Sequence, residues 1–115
     1  MDLIVFAHPD NSRSHNAAVL KYVKERLKAN GRDYEVLDLY AEKFDPLIRI
    51  VNFDVPGGID GIKGYQAMIK KADRLVFIYP IWFYNMPAIL KGFVERVFTS
   101  RFAYDFHFDK SGKPT

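Results

Sequence analysis

The chain has 115 residues, the size of one modest domain, and 49% of them are hydrophobic and 16% aromatic, enough for a single core and no second domain. The net charge of +3 comes from lysines and arginines that lie mostly beside acids, as in "KYVKERLK" and "VERVFTSRF", a pattern of solvated helix faces and not of a nucleic-acid surface. The absence of cysteine excludes disulfides, thiolate metal sites and cysteine nucleophiles.

At the N-terminus, "LIVFA" (Leu3 to Ala7) is an unbroken apolar run ended by His8-Pro9, the pattern of a strand buried on both faces. It has no basic region before it and is far too short for a signal peptide or a membrane span, so a cytoplasmic protein without membrane insertion is expected. From Ser14 to Ala29 the residues Ala18, Val19, Tyr22, Val23 and Leu27 fall at helical spacing, and "NGR" supplies the stop. "YEVLDL" (Tyr34 to Leu39) alternates and predicts a second strand, nearer a sheet edge.

Residues 40 to 59 scatter Pro46, Pro56, Gly57 and Gly58 among apolar groups and predict a long irregular connection. A short helix follows over about Asp60 to Ala72, carried by Ile62, Tyr65, Met68, Ile69 and Ala72 and weakened at its start by Gly61 and Gly64. "RLVFIY" (Arg74 to Tyr79) predicts a third apolar strand, stopped by Pro80. Beyond an aromatic loop, Pro87 suits a first helical turn, and Ile89, Leu90, Phe93, Val94, Val97 and Phe98 form the apolar face of a last helix.

Strands alternating with helices imply a parallel sheet, and ligands of such sheets sit beyond the carboxyl ends of the strands. Two loops lie there. In the first, "HPDNSRSHN", the hydroxyls of Ser12 and Ser14, the ring of His8, the amide of Asn16 and the free backbone amides of the helix suit a phosphate or another anion. Ser14 would equally serve as a plain helix cap. In the second, "YPIWFYN", four aromatic residues could pack into the core or wall a flat ring. In a flavodoxin-like strand order 2-1-3 the two loops are neighbours, and a ligand with a phosphate at one end and a planar ring at the other, such as a flavin nucleotide, fits both.

The combination of "AHPDNSRSHN", "YPIWFYNMPAILKGFVERVF" and "RFAY" resembles the flavin-dependent NAD(P)H:quinone oxidoreductases of flavodoxin-like fold, a group that includes ancillary subunits of glutathione-gated potassium efflux systems. The resemblance implies that His8, Ser14, His15 and Asn16 contact the phosphates and ribityl chain of FMN or FAD, and that Pro80, Ile81, Trp82 and Phe83 lie along the isoalloxazine. It implies that Tyr104 and Phe106 line the substrate pocket of a neighbouring subunit in a homodimer. The activity implied is hydride transfer from NAD(P)H through the flavin to a quinone or similar acceptor. The resemblance assigns no catalytic residue and no metal.

Family members normally continue beyond "DKSGKPT" into two further strands, so residues 1–115 are expected to be one flavodoxin-like domain lacking the last two strands, the N-terminal part of a longer family domain. The third strand should then be an edge with an uncovered face, and an isolated monomer should aggregate. A second reading is a non-catalytic ancillary subunit that keeps the fold and docks onto a partner protein. A signalling receiver domain is excluded because His8-Pro9 and Pro80-Ile81 stand where its acidic pair and phosphorylated aspartate are needed, and a low-molecular-weight phosphatase needs a cysteine.

Overall fold

In a computed structural model of the protein, residues 1–48, 62–105 and 107–113 are described. The later part of the expected irregular connection, the first two residues of the expected second helix and Phe106 lie outside the described residues. The elements run β1 (Asp2–Phe6), α1 (His15–Ala29), β2 (Tyr34–Asp38), α2 (Ile62–Lys71), β3 (Arg74–Ile78) and α3 (Ala88–Val97). The strands form a parallel sheet in the order β2-β1-β3, with Asp2 level with Tyr34 and Arg74, and Phe6 level with Asp38 and Ile78.

Central β1 is wholly buried because both of its faces are covered. Leu3, Val5 and the following Ala7 pack with Leu37, Leu39, Phe44, Leu90, Phe93 and Val97, whereas Ile4 and Phe6 pack with Ala17, Leu20, Leu27 and Ile78 of the α1 side. On the first face, Phe93 meets Phe44 at 5.4 Å and Tyr65 at 5.8 Å between ring centroids, both edge to face.

Helix α1 corrects the sequence reading. Ala18, Val19 and Tyr22 are exposed, and the buried stripe is Ala17, Leu20 and Leu27, with Val23 at its margin. Residues 17, 20 and 27 recur at helical spacing just as well, and the larger apolar Val19 and Tyr22 lie on the exposed flank beside them. The predicted stop holds: Gly31, at φ 68°, donates to the Lys28 carbonyl, and Arg32 donates to that of Leu27, the paired bonds of a left-handed helix end.

The segment after β2 is strapped over α3. A Cβ on Gly92 would overlap the backbone of Pro46, so only glycine permits this approach. Beside it, buried Arg96 donates through Nη1 to the Asp45 carbonyl and lies 5.1 Å from the Phe44 ring centre. Strand β3 is the opposite case. Arg74 and Phe77 are exposed and only Ile78 is buried, as expected of an edge strand with an uncovered face.

At the base of the sheet, Asp2 is completely buried and ties three strands together. Its Oδ1 accepts from Arg32 Nη2 at 2.6 Å, and its Oδ2 accepts from Arg74 Nη2 at 2.5 Å and from the Nε of Arg32 and of Arg74 at 3.2 Å. Hydrogen bonds from Arg32, then from Arg74, hold its carboxyl far below the ordinary carboxylate range, against the effect of burial. The Met1 ammonium pairs with Asp73 alongside.

Candidate functional site

At the other end of the sheet, the first loop leaves β1 between the ends of its two neighbours: the Ala7 amide donates to the Ile78 carbonyl and the Leu39 amide to that of Phe6, both at 3.0 Å. Half-buried His8 comes next, and its Nδ1 accepts from the Asp10 amide at 2.9 Å. Asp10 closes the turn by accepting from the Ser12 amide and hydroxyl and from the Arg13 amide. These bonds push its carboxyl down to about 2, the Arg13 amide contributing most and Ser12 next. Asn11 Nδ2 fastens the loop to the end of β2 through Asp38 Oδ2 at 2.9 Å.

Ser14 is the N-cap of α1. Its Oγ accepts from the Ala17 amide at 3.0 Å and donates to the Asp10 carbonyl at 2.6 Å. The amides of His15 and Asn16, first and second in the helix, have no intrahelical acceptor, and they stand at its positive end. His15 is exposed and Asn16 is half-buried. This end of the helix therefore offers donors, and the first turn of α1 itself holds no acid.

The second loop is a tight reversal. The Trp82 amide donates to the Asn85 carbonyl at 2.9 Å and the Asn85 amide to that of Trp82 at 3.0 Å, enclosing Phe83 (φ 50°) and Tyr84 (φ 61°). Two left-handed residues between such bonds make a turn that elsewhere selects Asn-Gly, and two aromatic residues hold it here at a conformational cost. Phe83 and Tyr84 are fully exposed, Ile81 is exposed, and Trp82 is partly so. Asn85 Oδ1 accepts from the Met86 amide at 2.8 Å and leads the chain into α3, for which Pro87 is the cap residue. Of the loop aromatics only Tyr79 packs against the core.

The two loops meet. The His8 and Trp82 ring centroids are 6.1 Å apart, tilted by 58°. Ser14, His15 and Asn16 thus open α1 behind His8, and Pro80, Ile81, Trp82 and Phe83 occupy the turn after β3. Tyr104 is exposed in the tail, where its carbonyl accepts from the Arg101 amide, and Phe106 lies outside the described residues. Sequence reasoning missed Asp10 and Asn85. The Asp-x-Ser spacing and the Asn before the helix were the signals available for them. Among the described residues no cluster of His, Asp or Glu could hold a metal ion, and no helix is long and apolar enough to cross a membrane.

A parallel sheet in the order β2-β1-β3, with facing polar and aromatic loops at its carboxyl end, defines the flavodoxin-like class of α/β fold. The family model described as a flavodoxin-like fold matches residues 3–115, and the chain belongs to that family. A Haemophilus influenzae protein named an uncharacterized NAD(P)H oxidoreductase is 34% identical over 105 residues, covering 89% of this chain and 52% of the relative. The structure of NAD(P)H:quinone oxidoreductase from Methanothermobacter marburgensis superposes with a TM-score of 0.78 at 34% identity, covering 85% of this chain and 52% of that one. General stress protein 14 from Treponema denticola, solved in complex with FMN, has a TM-score of 0.64 at 29% identity, covering 90% and 51%. The chain spans about half the length of the curated relatives it matches.

Proposed function

We propose that this chain supplies the phosphate loop and one ring wall of a flavin site in an NAD(P)H:quinone oxidoreductase. The observation that carries the reading is the meeting of the two loops: uncovered amides at the start of α1 and a solvent-facing aromatic turn are joined by His8 and Trp82, 6.1 Å apart. The donor set fits a flavin nucleotide. His8, His15 and Asn16 present N–H groups where a phosphate and ribityl chain need donors, and Ser14 holds the helix start that carries two of them. Pro80, Ile81, Trp82 and Phe83 offer a largely apolar, exposed wall for a planar ring.

A bound flavin, FMN or FAD, would supply the redox chemistry, taking a hydride from NAD(P)H and passing two electrons to a quinone. The residues of this chain bind, orient and screen it from water. Tyr104 and Phe106 are read as lining the substrate pocket of a second copy in a homodimer, and the protein as cytoplasmic. The similarity to named quinone oxidoreductases and to an FMN complex supports the reading.

The test is a titration of the purified chain with FMN, FAD and riboflavin followed by visible absorbance and fluorescence, then NADPH or NADH oxidation with a benzoquinone. Saturable binding of a flavin nucleotide and quinone-dependent oxidation are expected. A chain that leaves the flavin spectrum and fluorescence unchanged at every concentration is not a flavin-binding unit.

A further inference from the structure

Asp10 lies inside the first loop yet presents no free donor to a ligand, and all three of its polar parts are engaged. Its amide donates to His8 Nδ1 at 2.9 Å, and its carbonyl accepts from Ser14 Oγ at 2.6 Å. Its Oδ1 accepts from the Ser12 amide at 3.0 Å, Ser12 Oγ at 3.1 Å and the Arg13 amide at 2.9 Å, and Oδ2 accepts from Arg13 Nε at 3.3 Å. One residue therefore joins the histidine on one side to the helix cap on the other.

Two consequences follow for a bound anion. A neutral imidazole has one donor and one acceptor nitrogen, so the Asp10 amide on Nδ1 leaves the proton on Nε2, and His8 meets a ligand as an N–H donor. The carboxylate also occupies the Ser12 and Arg13 amides, which turns those two away from a ligand and leaves it the amides at the start of α1, His15 and Asn16 among them. A negative side chain within an anion loop would ordinarily repel the ligand. Here four donors surround it and its charge is met locally.

We propose that Asp10 is a positioning residue for the phosphate end of the site, fixing His8 as the Nε2–H tautomer and selecting which amides face the anion, without touching the ligand itself. This rests on the flavin reading for the identity of the anion and on the loop's own bonds for the rest.

The experiment has one arm without ligand and one with it. In the ligand-free chain labelled with 15N-histidine, NMR should show the His8 ring as Nε2–H. Asp10→Ala should give mixed tautomers, and Asp10→Asn, which keeps the Oδ1 acceptor of the three close bonds, should restore the single form. In parallel titrations, Asp10→Ala should weaken FMN binding about tenfold while riboflavin binding changes less than about twofold, and Asp10→Asn should behave as the parent. An unchanged His8 tautomer in Asp10→Ala overturns the proposal, and so does Asp10→Asn matching Asp10→Ala in both arms. If the parent binds no flavin while the His8 tautomer responds to Asp10 as stated, the flavin reading fails and the hold of Asp10 on His8 stands.

Discussion

At the base of the sheet a fully buried carboxylate is met by two arginines, and every strand start is tied to its neighbour; at the mouth two aromatic residues stand in left-handed backbone and in open solvent. The same 115-residue chain thus pairs its charges at the base and leaves strain and apolar surface uncompensated where the two loops meet. Satisfied polar groups and packed glycine contacts serve stability, whereas strained turns and unpaired amides are kept where a ligand can use them. Substitutions on the closed side should therefore lower stability, and substitutions in the strained turn at the mouth should leave it unchanged or raise it.

The largest effect is expected at Gly92. A valine there must displace the Pro46 backbone from α3 and should cost about 3 kcal/mol in urea unfolding. Asp2→Ala comes next. It strands two arginines at the base and should lower Tm by several degrees, with no direct contact to either loop. The same carboxylate sets an acid limit. Its folded-state pKa is depressed, so the stabilisation is complete above the ordinary carboxyl value of 3.8 and is lost as pH falls below it. The parent should therefore lose stability steeply below about pH 4, and Asp2→Asn should show a flatter acid limb from a lower starting point.

The mouth gives the opposite sign. Replacing Phe83-Tyr84 with Asn-Gly installs the residues that this turn favours and should raise stability by about 1–2 kcal/mol, read as a higher urea midpoint. The same double variant should lose most flavin-ring affinity, seen as recovery of free-flavin fluorescence. A variant that is both less stable and still fully binding would break the comparison between the two ends.

Sequence periodicity exposed most of the fold. Among the described residues, each strand and helix falls within about two residues of its expected bounds, because β1 is buried on both faces and α3 carries a strong apolar stripe. What periodicity missed was which flank of α1 is buried: Val19 and Tyr22 are apolar but face solvent, and nothing within a single helix says where its neighbours stand. The base clamp was equally hidden, since Asp2, Arg32 and Arg74 are ordinary charges until strand register brings them together. At the mouth, "YPIWFYN" is legible as aromatic but not as a left-handed turn, because Phe-Tyr is a poor sequence for it; that mismatch between residue and backbone is visible only in three dimensions.

Ser14 tests where the boundary between scaffold and mouth runs. Its hydroxyl proton is given to the Asp10 carbonyl and a lone pair to the Ala17 amide, so its first duty is to cap α1. Ser14→Ala should cost about 1 kcal/mol of stability, and Ser14→Thr, which keeps a capping oxygen, should cost less. If Ser14 acts on the ligand only by holding the amides of His15 and Asn16 in place, FMN affinity should follow the cap and recover in the threonine variant. Affinity that drops equally in both variants while threonine restores stability would move Ser14 from the scaffold into the set of direct ligand contacts.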